Sequence, residues 1–245
     1  MDSNERPSFQ FEHDTTPDDV LLCGFSNFGF AGLTAADFLV DQLGLEETGY
    51  VRVDELPAVT PFKDGTPRHH TRLFGGDDAD VTLLVGELFI PVPAASAFSA
   101  QIESWMTEQS VGEVAVLSGV PIAHGPESHR AFYVATEDYR ERRLTDTDIE
   151  PMGQGFLDGV NAELVQQAID SPLAAGVFLT PVHGQAPDVE AALRLVEAVD
   201  SVYDLGVDTA PLQEFASEIQ QYYEDLSERL EAAQKSELPE DRMYM

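Results

Sequence analysis

The sequence predicts an α/β domain, a mixed sheet covered by helices on both faces. Two observations carry that expectation. Short apolar runs closed by glycine or proline, the mark of buried strands, alternate with segments whose apolar residues recur at helical spacing. No repeat of fixed period runs through the 245 residues, so one core is the simpler organisation.

Each element is legible in turn. "DVLLCGF" (Asp19 to Phe25) reads as a buried strand that turns through "SNFGFAG" into "LTAADFLVDQLG". There Leu33, Ala36, Leu39, Val40 and Leu43 share a helical face and Gly44 stops the helix. "YVRVDEL" and "RHHTRLFGG" read as shorter strands, and "DVTLLVGELFI" as the second strong buried one. Pro91 and Pro93 end that run before a helix from Ala94 to Gln109, with Phe98, Ile102, Trp105 and Met106 inward. "EVAVLSGV", "RAFYVAT" and "AAGVFLTPV" are further strands, and "AELVQQAID" a helix.

Two helices close the chain. Pro187 suits the first turn of "PDVEAALRLVEAVDSVYDLG", and Asp188 and Glu190 complement the positive end of its dipole. Val189, Ala192, Leu193, Val196, Val199 and Tyr203 form its apolar stripe. The next segment starts on an Asp or Thr cap with Pro211 just inside. Its Leu212, Phe215, Ile219, Tyr222 and Leu226 make a heptad seam too short for an independent coiled coil. The organisation expected is an acidic N-terminal arm over 1–18, the α/β domain over 19–206, a C-terminal helix over 207–234 and a flexible tail over 235–245.

Composition narrows the function. Asp and Glu number 45 against 13 Lys and Arg, a net charge of −32. Nucleic acid and anionic membrane would repel such a chain. The apolar share of 43% leaves enough for a core, so the charge reads as adaptation to concentrated salt, where screening shortens to roughly 3 Å. One cysteine, Cys23, permits no intrachain disulfide, and no signal-peptide pattern or membrane-length apolar run is present. A cytoplasmic protein is expected.

Chemistry-bearing candidates are few. "GFSNFG" sits where a nucleophile elbow would sit, but Phe28 stands at the last glycine of G-x-S-x-G and should crowd the turn around Ser26. The alternative is a glycine-rich turn that caps the helix through Ser26 or Asn27. No dinucleotide or phosphate-loop fingerprint follows, so no cofactor is implied. His124 and His129 bracket "HGPESH" and His183 lies in "PVHGQ", each after an apolar strand but without metal-ligand spacing. Ser26, Asn27, His124 and His183 thus define a candidate pocket. Paired carboxylates cannot be singled out because acids are everywhere. The ending is different: Met243, Tyr244 and Met245 combine an apolar neighbour, an aromatic ring with a polar tip and a carboxylate, a compact anchor.

From about Val20 to Leu230 the sequence resembles the PAC2 family of proteasome assembly chaperones. The resemblance rests on "LLCGFSNFGFAGLTAADFLVDQL", "ADVTLLVGELFIP" before a helix, "GEVAVLSGVPIAHGPESHRAFYVAT" and "GVFLTPVHGQAPDVEAALRLVEAV". Phe28 departs from the small residue usual after the first turn. The resemblance implies a phosphorylase-like three-layer α/β/α sandwich without its active site, assembled as a homo-oligomer or with a second PAC2-like protein. It further implies association with the 20S proteasome, as assembly chaperone or ATP-independent activator. The archaeal tail motif, hydrophobic-Tyr-any, maps onto Met243, Tyr244 and Met245 and would dock between α-subunits, its carboxylate paired with a lysine. A non-enzymatic role follows. Two other readings stand beside it: a phosphorylase- or hydrolase-like enzyme at the candidate pocket, and a small-molecule-binding scaffold.

Overall fold

The protein is described by a computed structural model over residues 7–76, 79–122, 125–183 and 187–218. The chain divides between Asp208 and Thr209. In the first unit the strands are β1 (Ser8–His13), β2 (Val20–Phe25), β3 (Glu46–Asp54), β4 (Phe62–Lys63), β5 (Thr66–Pro67), β6 (Thr71–Gly75), β7 (Thr82–Gly86), β8 (Glu113–Val120), β9 (Phe132–Ala135), β10 (Glu150–Pro151) and β11 (Ala174–Pro181). The helices are α1 (Ala31–Gln42), α2 (Val92–Gln109), the short α3 (Glu137–Tyr139) continuing into a π turn, α4 (Gly159–Ile169) and α5 (Val189–Tyr203). In the second unit, residues 210–218 are helical, and Ile219, Tyr222 and Leu226 of the expected seam lie outside the described residues.

Nine of these strands form one mixed sheet in the order β1-β3-β6-β7-β2-β8-β11-β9-β10. At its centre β7, β2, β8 and β11 run parallel, and β1, β3 and β6 extend it by antiparallel pairing. All residues of β2, β7 and β11 are buried, which accounts for their near-continuous apolar runs. On one face α2 and α4 pack together over a cluster containing Leu21, Cys23, Leu84, Val116 and Val177. The opposite face carries α1 against α5. Helices therefore cover both faces, as the alternation of patterns predicts.

The α1 seam is built from small residues. A Cβ on Gly32 would overlap the Leu117 carbonyl oxygen, so only glycine lets the helix lie this close to β8. The buried stripe of α1 is Ala31, Gly32, Ala35, Ala36, Leu39 and Val40, with Leu33 and Leu43 only half-buried. In α5, Leu195 and Ala198 are buried, while Leu193 and Tyr203 are half-buried. The stripes are rotated by a residue because close packing selects the alanines and glycine.

Part of the expected N-terminal arm is a correction. Ser8–His13 pairs with β3 along its whole length. Phe9 lies 4.9 Å from Phe98 and Phe11 stacks on Trp105 at 5.0 Å, while Gln10 between them faces outward. The period-two pattern "SFQFEH" is a strand whose signal the neighbouring acids obscure. A second two-stranded ribbon, β4 with β5, turns on Asp64 and Gly65, both at positive φ (53° and 76°).

Candidate functional site

The parallel strands β2, β7, β8 and β11 deliver their C-terminal ends to one edge of the sheet, where open α/β sheets usually hold ligands. Of the four sequence-predicted pocket residues, Ser26, Asn27 and His183 follow the ends of β2 and β11, each with its own partners. Ser26 donates its backbone N–H to the Gly86 carbonyl at 2.9 Å and its hydroxyl to the Glu87 carbonyl at 2.9 Å. Its single hydroxyl proton is thereby spent on a main-chain oxygen rather than offered to a base. Neither Ser26 nor Asn27 caps α1 through its side chain. The turn is made by backbone instead: Gly29 and Phe30 adopt left-handed conformations (φ 66° and 50°). Phe28 does not crowd this turn, because its ring is turned outward and more than half exposed.

Asn27 and Phe28 line a cavity of about 410 Å³. Its walls come from the end of β8, from Val134 of β9, and from the loop around Met152 and Leu157 that leads into α4. Ser118 and Asn161 contribute the buried polar groups. Asn161 Nδ2 donates to Ser118 Oγ at 2.9 Å, whereas Asn161 Oδ1 is buried without a hydrogen-bond partner. Leaving a buried amide oxygen unmet costs about 1–3 kcal/mol. At the mouth, Phe156 is wholly exposed and Ile122 is 42% exposed.

His183 belongs to a different arrangement. Its N–H and its Nδ1 both reach Asp188 Oδ2, at 2.9 and 3.0 Å, and its ring meets that of His129 edge-on at 5.6 Å. Asp188 is the N-cap of α5, its Oδ1 accepting from the Ala191 N–H at 2.9 Å. Burial pushes the Asp188 carboxyl up, but the bonds from His183 and Ala191 outweigh it and hold the group below the usual carboxylate range. The helix start foreseen from Pro187 and Asp188 therefore recruits a histidine as well. His124 lies outside the described residues, as do Met243, Tyr244 and Met245. Among the described residues no group of three His, Cys, Asp or Glu could hold a metal ion.

Two charged clusters escape sequence reasoning. Glu87 receives Arg68 Nη2 at 2.8 Å and the buried Arg72 through Nη2 at 3.3 Å. At the opposite edge, buried Glu113 gathers Arg142, Arg143 and Tyr203. With acids throughout the chain, nothing in the sequence marks these two.

Comparison with known proteins follows the same architecture. Residues 21–227 match the PAC2 family. A crystal structure of Pyrococcus furiosus PbaA, an archaeal homolog of proteasome-assembly chaperone, superposes with a TM-score of 0.83 and 21% identity, covering 94% of this chain and 95% of that one. Pyrococcus furiosus PbaB, an archaeal proteasome activator, gives a TM-score of 0.73 and 16% identity over 91% of this chain and 99% of its own. The uncharacterized protein MJ0106 of Methanocaldococcus jannaschii is 20% identical over 225 residues, 92% of this chain and 90% of that protein.

Proposed function

The chain belongs to the PAC2 family, and on that premise we propose that it serves the 20S proteasome, as an assembly chaperone or an ATP-independent activator. The observation that carries this reading is the fold shared with PbaA across nearly the full length of both chains. The likeness to PbaB, an activator, supports it from a second side. In this reading the protein works in a salt-rich cytoplasm as a homo-oligomer, alone or with a second PAC2-like protein, and presents Met243, Tyr244 and Met245 to pockets between α-subunits. A short tail pays an ordering cost at each engagement, so single contacts are weak. Several tails on one oligomer turn later contacts into intramolecular ones and raise avidity by about 10² or more.

Co-purification of 20S subunits in molar KCl tests the proposal with three proteins: the intact chain, a form ending at Arg242, and Tyr244→Ala. Capture by the intact chain alone is the expected result. Equal capture by all three overturns tail docking, and no capture by any overturns the proteasome role itself. The hydrolase reading loses ground on one observation, the commitment of the Ser26 hydroxyl to the Glu87 carbonyl. The ligand-binding reading gains ground from the cavity beside Asn27.

A further inference from the structure

We propose that the cavity between Phe28, Met152 and Leu157 is a binding site for a small uncharged molecule with an apolar, ring-sized body and one hydroxyl group. This goes beyond the proteasome role and does not depend on it.

Size comes first. At about 410 Å³ the cavity falls within the range of small-molecule sites. Its walls are mainly apolar, so water gains little by filling it. The buried polar side chains are confined to one point, Ser118 and Asn161, while Asn27, Gln154 and Asp158 lie at more open positions. Asn161 is more than nine-tenths buried, its Nδ2 already occupied by Ser118 and its Oδ1 unmet. Reversing the amide would pair Oδ1 with the Ser118 hydroxyl and leave an N–H unmet instead. A ligand hydroxyl answers either arrangement, because it donates and accepts.

Charge selects further. Neither Ser118 nor Asn161 ionises, and the acid lining the cavity is the exposed Asp158. An anion would meet that carboxylate and a chain of net charge −32; a buried cation would find no counter-ion beside the amide. A neutral molecule avoids both penalties. The mouth also fits a closing function. Phe156 stands wholly exposed beside Gly155, with Gly153 two residues earlier, and an added Cβ on either glycine would meet nothing within 4 Å. The ring can therefore fold over an occupant and bury its own apolar surface in doing so.

Thermal shift and ligand-observed NMR on the full chain test this with four probes: phenol, cyclohexanol, toluene and benzoate. Phenol and cyclohexanol should stabilise the protein in a dose-dependent, saturable way. Toluene should bind about tenfold more weakly, the worth of one buried hydrogen bond, and benzoate should not bind. Asn161→Leu should bring phenol and toluene to equal affinity. Because that variant alters a buried position, Ile122→Trp provides a second check: it narrows the mouth from an exposed site and should abolish binding of all probes. Phenol binding no tighter than toluene, unsaturable binding, or binding unchanged in Ile122→Trp would each overturn the proposal.

Discussion

The two edges of the parallel sheet handle their awkward groups in opposite ways. At the N-terminal edge, Glu113 opens β8 with almost no exposure, and every demand of its charge is met. Arg143 Nε donates to both carboxylate oxygens at 2.9 and 3.1 Å, Arg142 Nη1 adds a longer contact at 3.4 Å, and the Tyr203 hydroxyl donates at 2.9 Å. Tyr139 extends the chain of bonds, its hydroxyl 2.7 Å from that of Tyr203, and its ring fits where Gly176 has no side chain. Burial pushes both phenols above their ordinary range. At the C-terminal edge Glu87 is likewise paired with Arg68 and Arg72, but around it Phe28, Phe89, Val92 and Phe156 face water, and an amide oxygen is buried unpaired. One edge spends its residues on closure. The other keeps exposed apolar surface, which in soluble proteins marks places of contact.

Removing the centre of the closed edge should have the largest effect. Glu113→Ala deletes a buried acceptor of four close contacts and leaves two arginines facing each other. The expected loss is about 3 kcal/mol, at the lower end for a broken buried ion pair because Arg142 and Arg143 are partly solvated. Denaturant unfolding measures it. Because Glu113 is buried, the loss should hardly change between low salt and molar KCl, whereas the exposed pair Arg130–Glu150 should be screened away. A strongly salt-dependent loss would show that the edge is more open than its geometry implies.

The same contrast explains what could be read from the sequence. The strands β2, β7, β8 and β11 and the helices α2 and α5 announce themselves because burial on both sides of a sheet writes long apolar runs. Strand β1 did not, since its two phenylalanines stand among acids and its pairing partner lies some forty residues away. Of the cavity's lining the sequence marks one residue. Asn27 was named and lines the cavity, but Ser118 and Asn161 carry no signal, because a serine in a strand and an asparagine in a helix are ordinary until the fold sets them 2.9 Å apart. His183 was named for a pocket and serves a helix cap, a pairing that depends on a loop path no periodicity encodes.

A middle-sized effect is expected at that cap. Asp188→Ala removes the bond to the Ala191 N–H and both bonds from His183, for a loss of about 1 kcal/mol or somewhat more. The sign with pH is fixed by the direction of its shift. A carboxyl held below its unfolded value contributes fully above that value, and the contribution is lost as pH falls through the folded one. Wild type should therefore lose this increment in acid, from about pH 4 downward, while Asp188→Ala lacks it throughout. Parallel unfolding curves for the two proteins across that range would refute the assignment of Asp188 as the charged cap.

The smallest stability effect belongs to the open edge. Phe156→Ser replaces a side chain that touches little of the rest of the chain, so stability should change by no more than about 0.5 kcal/mol in denaturant unfolding. A wholly exposed aromatic ring gains nothing from folding, so its contribution shows only when an occupant is present. The informative comparison is therefore between two readouts on this one variant. If the ring closes over an occupant, the stabilisation by phenol should fall several-fold while unliganded stability stays put. If unliganded stability falls with it, the ring is packed in solution, and the two edges differ less in purpose than in their share of water.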